Sequence, residues 1–450
     1  MGLIILEDIL KATGGEILSK GADIFTGVCI DSRKIKHGEL FVPLKGRKND
    51  GHEFLLDAIK TGNGAFVSIK PERQITDKTI IFVKDTLKAL QDLACFMRLK
   101  RNIPVIAITG TNGKTTTKEL TAEILGTEYK VLKNEGNLNN HIGLPLSLTN
   151  LTQEDEAIVL EMGASGRGDI KQLCKIALPD YGILTNIGYA HISGFGNIET
   201  IRSTKLEMLE FVKTVAVNFD DKFMVEGISS SKFNGELIYY SAKEISDVYA
   251  KDIKLREKGL NFEMHIKGKE SIRIESSISG IFNIYNILAA SSIAYKIGIP
   301  LKNIQKAVKS FTGVPMRLEY SYIDGVTFIK DMYNANPDSV QGALEELSRT
   351  KKKRAIAVLG DMLELGSYAE EAHRNIGRIL SKLNIDIFIA VGTLMKTASD
   401  EFKGTVYTSD TASEAGKILS KILKEGDSVL IKGSRGMGME KVMEELCCTV

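Results

Sequence analysis

The chain has 450 residues, of which 43% are apolar and 26% charged, with 59 basic against 57 acidic side chains. This length is too great for one hydrophobic core and predicts about three domains, and the composition excludes a disordered chain. The balanced charge gives no case for nucleic-acid binding, which a clustered basic surface would indicate.

No stretch approaches the roughly 20 apolar residues that span a bilayer. The N-terminus resembles no secretory leader, because Glu7 and Asp8 interrupt its apolar run. The five cysteines are odd in number and scattered, without the spacing of metal ligands, which is typical of reduced thiols. We therefore expect a soluble cytoplasmic protein with no membrane insertion and no nucleic-acid partner.

Short β-type runs alternate with loops in the first part of the chain and predict a small α/β unit. A helix over 85–101 leads into a linker, and Pro104 marks the entry to the second unit. The predicted strands of the first unit are 27–30, 40–44, 65–69 and 80–83, and its helix is 52–61.

Strands alternate with helices in the second unit, which indicates a parallel, doubly wound sheet. An antiparallel stretch over 248–279 and a helix over 283–297 follow, and the next break lies at 311–315. The predicted strands are 105–109, 157–162, 182–187 and 214–218 in this unit, and 326–330, 355–359, 386–391 and 428–432 in a third α/β unit.

The sequence thus predicts an α/β fold of three domains. A small α/β domain covers 1–102, a central domain with a P-loop-type parallel sheet covers 103–312, and a Rossmann-like domain covers 313–450. Linkers near 102–104 and 312–315 join them.

A phosphate-binding loop is predicted between the strand Val105–Thr109 and the helix that follows it. Gly110 and Gly113 allow a sharp turn, Lys114 supplies a positive charge, and the hydroxyl of Thr115 can hold Mg²⁺. Only two residues separate the glycines, so the strict P-loop pattern fails while a shortened form holds. The alternative is a turn that binds nothing.

Polar residues follow the next strands, at the sheet edge where ligands of open parallel sheets bind. Glu161 ends one strand and is the leading Mg²⁺ ligand, because Mg²⁺ takes one or two carboxylates plus phosphate oxygens. Asn186 ends another strand, and His191 beyond it is a candidate ligand of a second cation. A structural histidine is the equal alternative. A metal beside a triphosphate implies phosphoryl transfer.

These motifs together resemble the ATP-dependent Mur ligases, which build the peptide of bacterial peptidoglycan. The resemblance covers all three predicted domains in order, and it is closest to the Mur ligase that adds D-alanyl-D-alanine to UDP-N-acetylmuramoyl-tripeptide. The motifs that carry it are residues 31–33, 38–41, 50–54, 110–116, 161–163, 186–191, 331–337 and 358–366, with His373.

The resemblance implies ATP, two Mg²⁺ ions and a carbamylated Lys205 as cofactors, and catalytic roles for Lys114, Lys205, His191 and Arg317. Leu206, Phe282 and Lys330 depart from the usual family residues. The implied metal ligands are Thr115, Glu161, His191 and the Lys205 carbamate. The implied ATP-binding residues are Gly110, Thr111, Asn112, Gly113, Lys114, Thr115, Thr116, Asn283, Asn286, Arg317 and Asp331.

On the acceptor side, the resemblance implies three groups of substrate-binding residues. The asparagine-rich loop can also be explained by turn chemistry alone. Ser32, Arg33, Lys45, Asp50 and His52 would hold the uridine diphosphate, Asn137, Asn139 and Asn140 the UDP-sugar-peptide, and Asn334, Asn336, Lys432, Ser434 and Arg435 the dipeptide and phosphates.

The implied reaction forms an acyl phosphate from the tripeptide carboxylate and ATP, which the dipeptide amine then attacks. A neighbouring ligase of the family, a folylpolyglutamate-type ligase and a nucleotide-driven switch are the alternatives. We expect a monomer. The sequence does not distinguish lysine from diaminopimelate in the tripeptide, and it assigns no role to the Cys447-Cys448 tail.

Overall fold

The structure is a computed structural model of the chain, and it describes residues 2–46, 48–72 and 75–447. Three larger sheets, each packed against helices, follow one another along the chain, which confirms the predicted α/β fold class. Of the tail, Cys447 ends the last helix and Cys448 lies outside the described residues. No helix in the described ranges is long and apolar enough to cross a membrane.

The N-terminal unit is built on a five-stranded sheet. Its elements are β1 (Ile4–Ile5), α1 (Leu6–Thr13), β2 (Glu16–Ser19), β3 (Ile24–Phe25), β4 (Gly27–Cys29), β5 (Glu39–Phe41), α2 (Leu55–Thr61), β6 (Gly64–Val67), β7 (Thr79–Phe82) and α3 (Thr86–Leu99). The sheet order is β2-β7-β6-β5-β4, with only β2 antiparallel, and β1 pairs separately with β3. The helix predicted from residue 52 begins at Leu55, because the Asp50 carboxylate accepts the His52 N–H at 3.0 Å and starts a 3₁₀ turn.

The central unit contains a nine-stranded sheet. Its elements are β8 (Val105–Thr109), α4 (Lys114–Leu125), β9 (Val131–Lys133), α5 (Gly143–Leu148), β10 (Ala157–Glu161), α6 (Asp169–Ala177), β11 (Tyr181–Leu184), α7 (Ile192–Phe195), α8 (Ile198–Leu206), β12 (Thr214–Asn218), α9 (Lys222–Ser229), β13 (Glu236–Ser241), β14 (Val248–Leu255), β15 (Leu260–Ile266), β16 (Ser271–Ser276), α10 (Phe282–Ile297) and α11 (Leu301–Ser310).

The order of this sheet is β16-β15-β14-β13-β12-β11-β8-β10-β9. Every pair from β9 to β14 is parallel, and β15 and β16 add an antiparallel extension. Apolar residues of α4, α10 and α11 cover one face, and those of α5 and α6 cover the other, as a doubly wound sheet requires. The β8, β10 and β11 ends therefore meet at one edge.

Two strands of the central sheet were not predicted. β9 is a three-residue edge strand, too short to give a periodic signal, whereas β13 contains a Leu-Ile-Tyr-Tyr run that is typical of a strand. The strand predicted over 182–187 ends at Leu184, because the next two residues turn toward the phosphate loop.

The third unit is a six-stranded sheet with helices on both faces. Its order is β17-β18-β22-β19-β20-β21, parallel except for the β17–β18 pair, and the edge strands β17 and β21 were not predicted. These strands and helices are β17 (Glu319–Ile323), β18 (Val326–Asp331), α12 (Pro337–Thr350), β19 (Ala355–Gly360), α13 (Ala369–Lys382), β20 (Ile387–Val391), β21 (Thr405–Ser409), α14 (Ala412–Ile422), β22 (Ser428–Lys432) and α15 (Glu440–Cys447).

Candidate active site

The loop between β8 and α4 contains two positions, 110 and 113, at which only glycine can be accommodated. Gly110 and Gly113 have φ angles of +148° and +81°, which favour glycine. A Cβ at Gly110 would lie 1.9 Å from Thr185 Oγ1, and one at Gly113 would lie 2.3 Å from Asn286 Oδ1. The loop is thus packed tightly between the end of β11 and helix α10.

Asn186 fixes the backbone of this loop. The Thr111 N–H donates to Asn186 O at 2.8 Å, and the Asn112 N–H donates to Asn186 Oδ1 at 2.8 Å. Lys114 Nζ spans the turn and donates to Gly110 O at 3.0 Å and to Thr111 O at 2.8 Å. The cradle is therefore ordered by the protein's own groups. Burial lowers the pKa of Lys114, and the nearby Arg317 charge acts in the same direction.

Glu161 joins the phosphate loop to the asparagine-rich loop. The Thr115 hydroxyl donates to Glu161 Oε2 at 2.8 Å, and Asn139 Nδ2 donates to Glu161 Oε1 at 2.8 Å. Glu161 is only 4% exposed. A carboxylate held this way beside a hydroxyl is a suitable oxygen donor for Mg²⁺.

Asn134, which the sequence motifs do not indicate, holds the backbone of Glu161 in place. Its Oδ1 accepts the Glu161 N–H at 2.9 Å, and its Nδ2 donates to Glu161 O at 3.0 Å and Leu138 O at 2.8 Å. The buried Lys118 donates to Asn134 O at 2.5 Å. No motif marks Asn134, because its role depends on a backbone contact 27 residues away.

Lys205 is a buried amine with no anionic partner in contact. Its side chain is on α8, and its ammonium has no hydrogen-bond or ion-pair partner among the described residues. Phe195 lies beside it, with the ring centroid 5.7 Å from Nζ. Burial lowers the pKa of Lys205 to about 7, and the Lys114 charge adds to this effect. The amine is therefore substantially neutral at neutral pH, which is unusual for lysine.

His191 precedes helix α7 and reaches the third unit. Its Nδ1 contacts a carboxylate oxygen of Glu364, which follows β19. Burial lowers the pKa of His191, as do the Lys114 and Lys205 charges, whereas Glu364 opposes them. The motif containing Glu364 was noted from the sequence, but the contact with His191 spans 173 positions and has no local signal.

The third unit also contributes cationic and polar side chains. The Arg317 guanidinium lies 4.1 Å from the centroid of the Tyr333 ring, and no described residue accepts a hydrogen bond from its buried Nε. Lys432 Nζ donates to Asp331 Oδ2 at 2.5 Å and to Asn334 O at 2.8 Å. Asp331 and Lys432 are buried and satisfy each other, whereas the Arg317 Nε remains available to a ligand.

The asparagines predicted around the ligands also make structural contacts. Asn286 Nδ2 donates to Asn283 Oδ1 at 2.8 Å on α10. Asn140 Oδ1 accepts the Gly143 N–H at 2.9 Å, which is the turn chemistry considered as an alternative. Asn336 caps α12 and its Nδ2 donates to Asn112 Oδ1 at 2.8 Å, so the third unit touches the phosphate loop directly.

One cleft of about 1020 Å³ collects most of the predicted site residues. It lies between the central and third units, where the three strand ends meet. The predicted residues that line it are Gly110, Thr111, Asn112, Gly113, Lys114, Thr115, Thr116, Asn137, Asn139, Asn140, Glu161, His191, Lys205, Asn283, Asn286, Arg317, Asp331, Asn334, Asn336 and Lys432.

Seven predicted substrate-binding residues do not line the cleft. Ser434 is buried and its hydroxyl oxygen accepts the Leu363 N–H at 2.8 Å, whereas Arg435 is exposed and contacts Glu440. The other five are Ser32, Arg33, Lys45, Asp50 and His52 of the N-terminal unit.

Within the N-terminal unit, Arg33, Asp50 and His52 make hydrogen bonds to side chains or backbone groups of the same unit. His52 Nε2 accepts the Ser68 N–H at 3.0 Å, so its Nδ1 carries the proton that Asp50 Oδ1 accepts at 2.6 Å. The exposed Arg33 is bound to the Asp31 carboxylate at 2.9 Å through two nitrogens.

No group of three or more His, Cys, Asp or Glu side chains that could hold a metal occurs in the described part of the chain. One carboxylate and one hydroxyl at the phosphate loop nevertheless fit Mg²⁺, which completes its coordination with phosphate oxygens and water.

Comparisons with known proteins identify the family of the chain. Residues 24–98 match the family described as Mur ligase family, catalytic domain. Residues 108–294 match the Mur ligase middle domain, and residues 316–435 match the Mur ligase, glutamate ligase domain.

A UDP-N-acetylmuramoyl-tripeptide–D-alanyl-D-alanine ligase of Bacillus subtilis strain 168 is 35% identical over 443 residues, which cover 94% of this chain and 93% of the relative. The crystal structure of MurF from Acinetobacter baumannii superimposes with a TM-score of 0.92 at 30% identity and covers 99% of both chains. MurF from Thermotoga maritima, in complex with ADP, has a TM-score of 0.83 at 30% identity and covers 93% of this chain and 96% of that one.

Proposed function

This chain belongs to the Mur ligase family, and we propose that it joins D-alanyl-D-alanine to the terminal carboxylate of UDP-N-acetylmuramoyl-tripeptide at the expense of ATP, in peptidoglycan synthesis. The named activity of the Bacillus subtilis relative and the ADP bound by the Thermotoga maritima structure support both the reaction and the nucleotide.

The observation that carries this proposal is the position of Glu161. Its two carboxylate oxygens bind Thr115 of the phosphate loop and Asn139 of the acceptor loop, each at 2.8 Å. One buried group thus connects the cradle for the transferred phosphate with the loop assigned to the acceptor. A ligase needs this proximity, because the γ-phosphorus and the attacking carboxylate must meet.

The first step activates the acceptor. The tripeptide carboxylate attacks the γ-phosphorus in line, the bond to the bridging oxygen breaks, and ADP and an acyl phosphate form. Lys114 and Arg317 neutralise the phosphate oxygens, and the unpartnered Nε of Arg317 supports a ligand at that side of the cleft. Asn283 and Asn286 are assigned to the adenine side and Asp331 to the ribose.

Thr115, Glu161, His191 and a carbamylated Lys205 would hold two Mg²⁺ ions. Bound Mg²⁺ supplies charge neutralisation for the phosphates. The lowered pKa of Lys205 supports carbamylation, in which the neutral amine attacks CO₂, an N–C bond forms and a proton leaves. The neutral buried amine thereby becomes an anionic oxygen donor of the kind that Mg²⁺ prefers.

The second step forms the amide bond. The amine of D-alanyl-D-alanine attacks the acyl carbon, phosphate leaves, and the amine loses a proton. Water must be excluded because it would hydrolyse the acyl phosphate, and the contact of Asn336 with Asn112 at 2.8 Å supports a role of the third unit in closing the site. Asn334, Lys432, Ser434 and Arg435 are assigned to the dipeptide and phosphate end.

The three units act as domains over 1–102, 103–312 and 313–450, and the N-terminal one binds the uridine diphosphate through Ser32, Arg33, Lys45, Asp50 and His52. The convergence of the cleft residues within one chain supports a monomer. The free thiols of Cys29, Cys95 and Cys174 support a reducing, cytoplasmic location.

Substrate-dependent ADP formation tests this function. The full chain should release ADP only when UDP-N-acetylmuramoyl-tripeptide and D-alanyl-D-alanine are both present. Comparing the lysine and diaminopimelate tripeptides then identifies the natural acceptor. A nucleotide-driven switch would instead hydrolyse ATP without either substrate, and that result would overturn the ligase assignment.

A further inference from the structure

Two non-glycine residues in the left-handed backbone region meet between the central and third units. His191 has a φ angle of +54°, and Glu364 has a φ angle of +65°. This conformation is unfavourable for residues with a Cβ, so it persists where surrounding contacts impose it, frequently at functional sites. The two side chains contact each other through His191 Nδ1 and Glu364 Oε2.

Further contacts join the same two segments. The Ser193 N–H donates to the carbonyl oxygen of Glu364 at 3.2 Å. The rings of Tyr189 and Tyr368 lie with centroids 4.9 Å apart and planes inclined by 32°. The short segment that contains His191 is therefore held by the third unit on both sides of the histidine.

The loop that carries Glu364 is itself fixed. The preceding Met362 N–H donates to Nε2 of the buried His373 at 3.0 Å, and the Leu363 N–H donates to Ser434 Oγ at 2.8 Å. The following Leu365 is 1% exposed and packs in the core of the third unit. Glu364 is thus presented from a rigid support, as a residue that orients another group must be.

We propose that Glu364 is a positioning residue that accepts the Nδ1–H of His191 and thereby holds its imidazole in one tautomer, with Nε2 left as the lone-pair nitrogen for the cleft. A carboxylate partner at the second ring nitrogen is what fixes the orientation of a metal-binding histidine. This inference rests on the proposed function, which places a cation beside His191.

A consequence follows from the location of Glu364 in the third unit. His191 is held in this way only while the third unit contacts the central one. The orientation of one implied metal ligand is therefore coupled to the contact between the two units, through a side chain that does not line the cleft.

Cation binding to the full chain tests this inference without turnover. Mn²⁺ serves as the probe, and its binding in the presence of ADP is measured by electron paramagnetic resonance. We expect Glu364→Ala to weaken Mn²⁺ binding about tenfold, the usual effect of losing a partner of a metal-binding histidine. Glu364→Gln retains an oxygen that accepts the Nδ1–H and should restore most of the affinity. Glu371→Ala, which removes an exposed glutamate of the same unit, is the matched control and should have no effect.

The tautomer of His191 provides a readout that general weakening of the structure would not change. The chain has six histidines, so ¹⁵N-histidine NMR is practicable, with His191→Gln identifying the signal. The wild type and Glu364→Gln should show the proton on Nδ1, and Glu364→Ala should show a mixture of tautomers.

Unchanged Mn²⁺ affinity and an unchanged tautomer in Glu364→Ala would overturn the inference. Equal loss of affinity in Glu364→Ala and Glu364→Gln, with the wild-type tautomer in both, would also overturn it. Neither measurement needs the substrates, so an absence of ADP formation in the wild type would contradict the proposed function and leave these results interpretable.

Discussion

The nucleotide end and the uridine diphosphate end of the proposed site are organised differently. In the cleft between the central and third units, the buried Glu161 links Thr115 and Asn139 in one partly buried hydrogen-bonded chain. In the N-terminal unit, Arg33 is exposed and bound to Asp31 on the same loop, and none of the five residues assigned there lines the cleft.

This difference indicates that the side chains for phosphoryl transfer are more fully ordered before the substrates bind than those for uridine diphosphate binding. Phosphoryl transfer depends on fixed charges and short distances, and a buried, pre-ordered cradle reduces the cost of arranging them. Recognition of a nucleotide far from the reacting atoms tolerates side chains that reorganise when the substrate binds. Substitutions in the cradle should therefore affect turnover, and those in the N-terminal unit should affect substrate affinity.

The largest expected effect is that of Lys114→Ala. This change removes the charge that spans the phosphate loop, and we expect ADP formation to fall by about 10³-fold while the fold is retained. Steady-state ADP release measures the loss, and circular dichroism checks the fold. Lys175→Ala, at an exposed position on α6, is the control. Normal ADP release by folded Lys114→Ala would show that the cradle is not where phosphate is transferred.

Lys205 should give the next largest effect and a defined pH dependence. Its pKa is lowered to about 7, so the amine is neutral above that pH and protonated below it, and only the neutral amine attacks CO₂. With ¹³C-labelled CO₂ at equal dissolved concentration, the initial rate of carbamate formation should be about tenfold higher at pH 8 than at pH 6, as followed by ¹³C NMR.

Lys205→Arg should show no carbamate signal at either pH and should lower turnover by about 10²-fold. A labelled signal of equal strength in Lys205→Arg would assign the carbamate to another amine. A ratio of about a hundredfold between pH 8 and pH 6 in the wild type is what a lysine with its ordinary pKa would give, and it would contradict the lowered pKa.

The smallest expected effect lies at the uridine diphosphate end. Arg33→Ala should raise the KM for UDP-N-acetylmuramoyl-tripeptide about tenfold, because a charge-assisted hydrogen bond to the diphosphate is lost. The KM for ATP and kcat should stay the same. Lys34→Ala, on the neighbouring exposed residue, controls for the general loss of positive charge. A change in kcat without a change in this KM would mean that the two ends are not separated as proposed.

Local sequence signals were sufficient for the buried strands of the fold. The β-branched runs of β8 and β12 were predicted with their observed bounds. A continuous apolar segment between turns is typical of a strand that is buried on both faces of a doubly wound sheet. The edge strands β9, β17 and β21 were missed, since a half-exposed strand lacks that signal.

The site was predictable only in part, for a related reason. Gly110, Gly113 and Lys114 lie within one loop, and their spacing before a helix indicates phosphate binding. The contacts of His191 with Glu364 and of Asn134 with Glu161 join distant segments, and no local pattern encodes such a pairing. The roles proposed for Lys205 and Arg317 rest on the family resemblance, because their residue types alone indicate ordinary surface cations.

The close approach of Gly113 to Asn286 bears on how variants of this enzyme should be interpreted. Any larger residue at position 113 would collide with α10 whether or not a nucleotide is present. In a mutational scan, the effect of a substitution at position 113 therefore depends on packing against α10 as well as on contact with the nucleotide. A defective variant there does not by itself report on phosphate binding, because both the collision with Asn286 and the φ angle of +81° disfavour any side chain at this position.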